Sequence, residues 1–241
     1  MTHVLRLLAA CLFACLLCAS ASADEFTPAQ RAEIVKIVHD ALKQDPSILR
    51  DAVAALQADD GEQQRAALAA AKDRLVDPAD PVGGNPKGDV TIVEFFDTRC
   101  PFCRKLEPSM AELLAHDHGV RLVYKDLPIL GPASVLGSKA LLASQKQGGY
   151  EKLREAIMAA PPQTTKAMIQ EAAQRLGLDW NQLERDMDDP AIQARINTHL
   201  QLARSIGIEG TPALVIGGEL VPGAVDLAEL QKMVGTARQP H

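Results

Sequence analysis

Cysteine is scarce in this sequence, and its distribution limits the kinds of site that the chain can build. Of the 5 cysteines, Cys11, Cys15 and Cys18 lie near the N terminus, whereas Cys100 and Cys103 stand alone in the remainder. No second pair of cysteines or histidines has finger-like spacing, so a structural zinc site with its usual four ligands is not indicated. A methionine-rich or histidine-rich tract beside Cys100 and Cys103 is also lacking.

Long hydrophobic runs are lacking after residue 23. Before it, His3 and Arg6 give a weakly basic start, and residues 4–18 are almost continuously apolar. This run is too short to span a bilayer comfortably, since a membrane-spanning helix needs about 20 apolar residues. Ala21-Ser22-Ala23 matches the small-x-small pattern of a cleavage site. We therefore predict a signal peptide, residues 1–23, that is cleaved after Ala23 and delivers the chain to the periplasm.

Removal of the signal peptide would leave a single cysteine pair in an exported protein. With one pair of cysteines, such a protein has no additional disulfide for structural stabilisation, although its compartment is oxidising. An alternative interpretation of the N terminus is a lipoprotein signal, because Leu8-Ala9-Ala10-Cys11 has small residues before a cysteine. That interpretation leaves almost no apolar stretch upstream of Cys11.

Clusters of positive charge are absent as well. The net charge is −6, and the lysines and arginines are scattered along the chain. Nucleic acid is therefore not expected as a partner, because its recognition requires a basic patch or stripe. The acidic balance favours solubility.

Residues 24–76 contain no glycine before Gly61 and are rich in alanine, glutamine and charged residues. We predict three helices here, the first capped by Thr27, the second starting at Pro46 and the third spanning residues 62–75. Their narrow apolar stripes cannot form a core alone, so the helices either cover the next domain or self-associate. A linker, residues 77–88, follows, and we favour a homo-oligomer formed through residues 24–76.

The two remaining cysteines form the motif Cys100-Pro101-Phe102-Cys103. The apolar run Val90–Phe96 predicts a buried strand before this motif, and residues 104–116 predict a helix after it. A helix N-terminus carries roughly half a positive charge, which favours the thiolate form of Cys100. The motif therefore indicates redox catalysis. A structural disulfide is the alternative, but so small a loop would add little stability.

The rest of the pattern predicts one α/β domain. A second strand, residues 120–125, completes a βαβ unit with the cysteines at its first strand-to-helix turn. A β-hairpin with the turn Gly217-Gly218 comes later, followed by a helix at residues 226–234. Between the βαβ unit and the hairpin, the pattern predicts helices at residues 134–147, 150–159, 164–176, 180–187 and 191–206.

Two motifs together resemble a known family. The stretch Phe95-Phe96-Asp97-Thr98-Arg99-Cys100-Pro101-Phe102-Cys103 resembles the active-site segment of the DsbA-like branch of the thioredoxin superfamily, and Gly210-Thr211-Pro212-Ala213 resembles its cis-proline loop. The resemblance implies a thioredoxin fold at residues 89–236 with a helical insertion at about residues 132–206. The N-terminal helices, Pro128 to Ser134 and Val221 to Ala224 further resemble the ScsC-like subgroup, whose members often oligomerise through such helices.

The resemblance also implies roles for individual residues. Cys100 would be the exposed attacking sulfur, Cys103 the resolving one, and Pro101 a supporting residue between them. The dithiol would need no metal and no organic cofactor. Thr211 and Pro212 would lie against the cysteines, joined by a cis peptide bond, and would pair with an extended substrate. The Thr211 hydroxyl would donate to the Cys100 thiolate.

Glu94 is the polar exception in the first predicted strand. A buried carboxylate must titrate or find a cation, and the resemblance implies that Glu94 assists proton transfer to Cys103. The alternative is a solvated glutamate facing an edge. Lys125 and Asp126 are possible partners of Glu94. The 6 histidines have no metal-site spacing with the cysteines and are predicted to lie at the surface.

Phe102 departs from the pattern of strongly oxidising relatives, which carry a histidine here. Without this histidine, the protein should be a weaker oxidant. Phe102 instead places an apolar side chain beside the active sulfur, where it could bind substrate. We predict a disulfide isomerase or reductase that acts on unfolded or misfolded secreted proteins and is kept reduced by a membrane redox partner. The alternatives are a monomeric dithiol oxidase and a copper(I)-binding protein, since two thiolates suit that ion.

Overall fold

The computed structural model describes residues 26–161 and 163–239. The predicted signal peptide lies outside the described residues. The chain divides into two compact units, of which the first ends at Asp59 and the second begins at Asp60. Among the helices described, none is both long enough and apolar enough to cross a membrane.

The first unit is helical, as predicted. Helix α1 spans Pro28–Gln44 and starts with a capping box, in which Thr27 and Gln30 each accept a hydrogen bond from the other's backbone N–H. Helix α2 spans Ser47–Ala70 without interruption, so the predicted break between a second and a third helix is wrong. Gly61 costs a helix about 1 kcal/mol relative to alanine. The alanine, glutamine and arginine residues around it are strong helix formers, and they outweigh this cost.

The apolar side chains of the first unit stay exposed. Helix α1 has no buried residue. The large apolar side chains that this unit exposes are Phe26, Ile34, Val35, Ile37, Val38, Leu42, Ile48, Leu49, Val53 and Leu56. The predicted stripes therefore exist, and other residues of the first unit leave them uncovered.

The second unit is built on one five-stranded sheet of order β1-β3-β2-β4-β5. The strands are β1 Val82–Gly84, β2 Val90–Phe96, β3 Val120–Asp126, β4 Ala213–Ile216 and β5 Glu219–Pro222. Strands β2 and β3 run parallel, with Glu94 opposite Tyr124 and Phe96 opposite Asp126. All other neighbouring strands are antiparallel. Strand β1, which was not predicted from the sequence, lies inside the predicted linker.

Helices cover both faces of the sheet. After the short α3, Lys72–Leu75, the helices of the second unit are α4 Pro101–His116, α5 Pro132–Ser144, α6 Tyr150–Ala159, α7 Lys166–Arg175, α8 Trp180–Met187, α9 Pro190–Ser205 and α10 Leu227–Ala237, with a 3-10 turn at Gln145–Gln147. The predicted βαβ unit, helical segments and hairpin are thus all present. Both cysteines belong to the core on one face. The core on the other face includes Leu68, Ala71 and Leu75.

A buried ionic network joins the predicted linker to the sheet and to α9. Asp80 contacts Lys125 of β3, accepts a 2.9 Å hydrogen bond from Arg195 and lies 2.9 Å from the His199 Nε2. The prediction that the histidines lie at the surface is therefore wrong for His199, which is buried. Lys125 also donates to the backbone carbonyl of Arg74. It is thus engaged by groups other than Glu94.

We expect Asp80→Asn to lower the free energy of unfolding by about 3 kcal/mol, because Lys125 would remain buried without its counter-charge. Lys146→Met is the matched control, since Lys146 is half exposed and pairs with Asp186 and Asp189 at 2.9 Å. Exposed pairs of this kind contribute under about 1 kcal/mol. Urea unfolding at pH 7 measures both losses. Equal losses in the two variants would contradict the structural role assigned to Asp80.

Candidate active site

The two cysteines lie at the N-terminus of α4. Cys100 is the N-cap residue, Pro101 occupies the first turn, and Cys103 follows one turn into the helix. Proline suits this position, because its missing N–H would have no partner there. Cys100 is 4% exposed and Cys103 is 0% exposed. The outer cysteine is therefore more covered than the sequence analysis expected, although it remains the more accessible of the two.

The loop before β4 lies against Cys100. The Cys100 thiol donates a hydrogen bond of 3.1 Å to the backbone carbonyl oxygen of Thr211. The Thr211–Pro212 peptide bond is cis, as predicted. The Thr211 hydroxyl interacts with the sulfur of Cys103, whereas the sequence analysis expected it to donate to Cys100. Both cysteines therefore contact this loop through different atoms of Thr211.

Burial raises the pKa of the Cys103 thiol far above its usual value. Hydrogen bonds from the Asp97 backbone and the Thr211 hydroxyl oppose this effect, whereas the charge of Glu94 adds to it. A thiol in such surroundings does not ionise by itself near neutral pH. It needs a nearby group that can take its proton when it reacts.

Glu94 is fully buried, so the alternative of a solvated glutamate at an edge is wrong. Arg154 of α6 donates a 3.1 Å hydrogen bond from Nη2 to Glu94 Oε2. Burial raises the pKa of Glu94 to about 7, with the charges of Glu107 and Asp126 adding to the effect and Arg154 opposing it. The carboxyl group can therefore gain or lose a proton near neutral pH.

Arg154 is the partner of Glu94 that was not predicted from the sequence. It also binds Glu107 of α4, with Nη1 donating at 2.9 Å and Nη2 at 2.5 Å. Its guanidinium lies 4.6 Å from the ring centre of Phe96 and 4.4 Å from that of Tyr124. A signal existed in the sequence, because position 154 falls on the same face of α6 as several buried residues, namely Tyr150, Leu153, Ile157 and Met158.

Asp126, which the sequence analysis named as a possible partner of Glu94, is a second buried carboxyl group nearby. The Tyr150 hydroxyl donates to it at 2.7 Å. Burial raises the pKa of Asp126 to about 6, although the hydrogen bond from Tyr150 opposes the shift. Asp126 therefore affects Glu94 through its charge. The hydrogen bond to Glu94 comes from Arg154 and not from Asp126.

Asp97 fixes the loops around the cysteines. One oxygen of its buried carboxylate accepts from the Arg99 backbone at 2.8 Å, and the other accepts from Ile129 and Leu130 at 2.9 and 3.0 Å. The segment that leads into α4 is therefore tied to the loop that follows β3. All three of these donors are backbone N–H groups, so Asp97 holds the two loops through their main chains.

The surface beside the cysteines is apolar. Phe102 is 59% exposed, as its position between the cysteines predicted, and Ile129 and Leu130 of the neighbouring loop are also exposed. Within the described part of the chain, no three histidine, cysteine, aspartate or glutamate residues are grouped so that they could hold a metal ion. The site thus offers two thiols, a buried carboxyl group and exposed apolar contacts.

Comparisons with known proteins agree with this geometry. The family described as the DSBA-like thioredoxin domain matches residues 91–235. A second family, described as the copper resistance protein ScsC N-terminal domain, matches residues 30–63. The resemblance drawn from the active-site and cis-proline motifs and from the N-terminal helices is therefore confirmed.

Solved structures confirm the α/β thioredoxin fold. A thioredoxin-like oxidoreductase from Silicibacter pomeroyi DSS-3 is 42% identical, and its match covers 70% of this chain and 98% of that chain at a TM-score of 0.68. Proteus mirabilis ScsC in a transitional conformation is 31% identical, with 88% of this chain and 98% of that chain covered at a TM-score of 0.66.

Curated relatives include much longer proteins. The Na(+)/H(+) antiporter NhaA 3 of Salinispora tropica is 28% identical over 180 residues, which cover 71% of this chain. The chain spans only 28% of the length of that antiporter.

We expect Glu94→Gln to change how stability depends on pH. The folded state keeps a proton on Glu94 up to its raised pKa of about 7, whereas the unfolded state releases it near the ordinary glutamate pKa of 4.5. This carboxyl group therefore stabilises the fold below pH 4.5, and the contribution is lost as the pH rises to 7. Glutamine is neutral throughout, so the variant should gain about 3 kcal/mol relative to the parent across this window.

Urea unfolding at several pH values between 4 and 8 measures this difference. Glu155→Gln is the matched control, because Glu155 is exposed on α6. Its stability should run parallel to that of the parent protein. If the Glu94→Gln profile also ran parallel, the titration assigned to Glu94 would be wrong.

Proposed function

Because the chain belongs to the DsbA-like thioredoxin family, we propose that it is a thiol-disulfide oxidoreductase whose Cys100 and Cys103 alternate between a dithiol and a disulfide. The observation that carries the proposal is the position of Cys100, which caps α4 while its sulfur lies 3.1 Å from the Thr211 carbonyl oxygen. The N-terminus of a helix is a typical position of a reactive cysteine. The cycle requires neither a metal nor an organic cofactor.

The exchange would proceed in two steps. The Cys100 thiolate attacks one sulfur of a substrate disulfide, forming a mixed disulfide and releasing the other substrate sulfur as a thiolate. Cys103 then gives its proton to the Glu94 carboxylate and attacks the Cys100 sulfur, which releases the second substrate thiolate. The substrate has then gained two electrons, and the enzyme holds the Cys100–Cys103 disulfide.

The substrates proposed are unfolded or misfolded secreted proteins in the periplasm. Exposed Phe102, Ile129 and Leu130 support this proposal, because misfolded chains present apolar side chains that could bind there. The loop at Thr211 and Pro212 would pair with an extended segment of the substrate, strand to strand. The signal-like residues 1–23 support export.

Isomerase or reductase activity is favoured over a pure oxidase. A histidine at position 102 would stabilise the Cys100 thiolate, whereas Phe102 provides no charge and no hydrogen bond. A less stabilised thiolate makes the disulfide a weaker oxidant. A membrane redox partner would then have to supply electrons and keep the cysteines reduced.

Self-association through residues 24–76 is also proposed, and it would place several Cys100 sites around one substrate. Its support is the uncovered apolar surface of α1 and the first half of α2. Ile37 and Leu56, for example, are 59% and 65% exposed, and a contiguous exposed apolar patch is typical of a protein–protein contact. Leu68, Ala71 and Leu75 belong instead to the core of the second unit, so the associating surface should end before them.

The two cysteines should respond differently to substitution. Cys100→Ala should abolish thiol exchange, because the attacking sulfur is lost. Cys103→Ala should still attack but should accumulate mixed disulfides on Cys100, since nothing resolves them. Scrambled ribonuclease as substrate and non-reducing electrophoresis measure both outcomes. Exchange by Cys100→Ala at the parent rate would refute the proposed function.

Substitutions in the first unit should separate isomerisation from simple exchange. Ile37→Gln together with Leu56→Gln should lower the oligomer mass in sedimentation, because the exposed apolar contacts are removed. Isomerisation of scrambled ribonuclease should fall at least several-fold, while reduction of a small peptide disulfide stays within twofold. Lys36→Gln is the matched control on the same helix. A monomeric parent protein, or an unchanged mass in the double variant, would contradict self-association through this surface.

A further inference from the structure

One guanidinium group, that of Arg154, forms ion pairs with two carboxylates that differ in their access to solvent. Arg154 contacts Glu94, which is fully buried on β2, and Glu107, whose side chain is 24% exposed on α4. The two carboxylates come from different elements on either side of the arginine. Nothing in the proposed exchange mechanism so far requires either Arg154 or Glu107.

The contacts of Arg154 are unequal. Glu107 accepts two hydrogen bonds, one at each oxygen, whereas Glu94 accepts one at 3.1 Å. The other oxygen of Glu94, Oε1, is buried and has no hydrogen-bond partner among the described residues. Paired guanidinium–carboxylate contacts of the kind made to Glu107 are the stronger arrangement. Arg154 therefore interacts more strongly with Glu107 than with Glu94 in the core.

The aromatic rings restrict where the guanidinium can go. Phe96 and Tyr124 both lie within 5 Å of it, at 4.6 and 4.4 Å from their ring centres. Such ring faces attract a cation and hold it in place. Arg154 can thus strengthen its contact with one carboxylate only by weakening its contact with the other.

We propose that Arg154 is a positioning residue for which Glu94 and Glu107 compete, and that this competition sets how readily Glu94 takes the proton of Cys103. The inference rests on the proposed thiol-disulfide exchange. In the step concerned, the Cys103 S–H bond breaks and an O–H bond forms on Glu94. The Cys103 thiolate then displaces the substrate sulfur from Cys100.

The competition keeps Glu94 between two unproductive extremes. With Arg154 fully committed to it, Glu94 would stay charged and would be a poor proton acceptor. Without Arg154, the buried carboxyl group would hold its proton and could accept no other. A general base works best when it titrates near the working pH, which an incomplete ion pair allows.

Other groups around Glu94 contribute to its environment without replacing Arg154. Asp126 and Tyr124 face it from β3, Glu107 and Cys103 from α4, and Arg154 from α6. Arg154 is the only cation among these described neighbours. Glu107 also lines a cleft of about 420 Å³ between α4 and α6, together with Glu151 and Glu155. The competitor for Arg154 therefore has contact with solvent.

The test is the titration of Glu94 itself, followed in the full-length reduced protein by carboxyl carbon NMR after labelling with ¹³C-glutamate. The Glu94 signal is assigned as the one missing from Glu94→Gln. Glu107→Gln should free Arg154 for Glu94 and lower the Glu94 midpoint by about one unit, whereas Arg154→Met should raise it by at least as much. Arg154→Lys keeps the charge and should fall between the parent and Arg154→Met.

Glu155→Gln removes one negative charge from the same cleft and is the matched control, with an expected shift under about 0.3 units, since it faces solvent. The pH profile for resolving the mixed disulfide should move in the same direction as each midpoint. If the role of Arg154 were purely structural, Glu107→Gln and Arg154→Met would both resolve the mixed disulfide more slowly, but their pH profiles would not move in opposite directions.

Shifts in the same direction, or an unmoved midpoint in Glu107→Gln, would overturn the inference. Glu107 is partly exposed, so Glu107→Gln decides the matter even if near-ultraviolet circular dichroism shows that Arg154→Met is unfolded. A parent protein that resolves no mixed disulfide at any pH would refute the proposed function instead. The NMR titration would still report on the competition in that case.

Discussion

The parallel pairing of β2 and β3 is the constraint on which the candidate site depends. Because parallel strands end at the same edge of a sheet, Phe96 and Asp126 stand opposite each other, and the chain leaves both strands on the same side of the domain. Asp97 then joins the two departing loops through backbone hydrogen bonds. The N-terminus of α4 and the apolar loop at Ile129 are therefore held next to each other.

The two faces of the sheet solve the problem of a buried carboxylate in different ways. On one face, Asp80 has Lys125, Arg195 and His199 as partners, so its charge is fully compensated. On the other face, Glu94 receives one hydrogen bond from an arginine that it shares. A carboxylate whose charge is fully compensated, such as Asp80, stabilises the packing of the elements that it connects. A carboxyl group whose charge is only partly compensated, such as Glu94, can gain or lose a proton, which suits proton transfer.

The sequence predicted the regular elements well where its local signals were strong. Strand β2 and helices α6 and α8 have the predicted bounds, because apolar periodicity and clear breaks define them. Strand β1 was missed, since Val-Gly-Gly is short and has no alternating pattern. The cysteines and Pro212 could be located from motifs. The partners of Arg154 and His199 could not be located, because Glu94 and Asp80 lie 60 and 119 residues away, and no local pattern encodes such pairs. For Arg154, helical periodicity indicated only that the side chain is buried.

Both edges of the sheet are short. Strand β1 has three residues, two of them glycine, and β5 has four and ends in Pro222, which has no N–H to donate. Long, regular edges recruit extended chains by backbone pairing. With unfolded chains as its proposed substrates, the protein would meet such segments constantly, and long edges would make it prone to co-aggregate with them. The short edges disfavour that outcome, so a chain bound in the proposed reaction could be released once its disulfide has been exchanged.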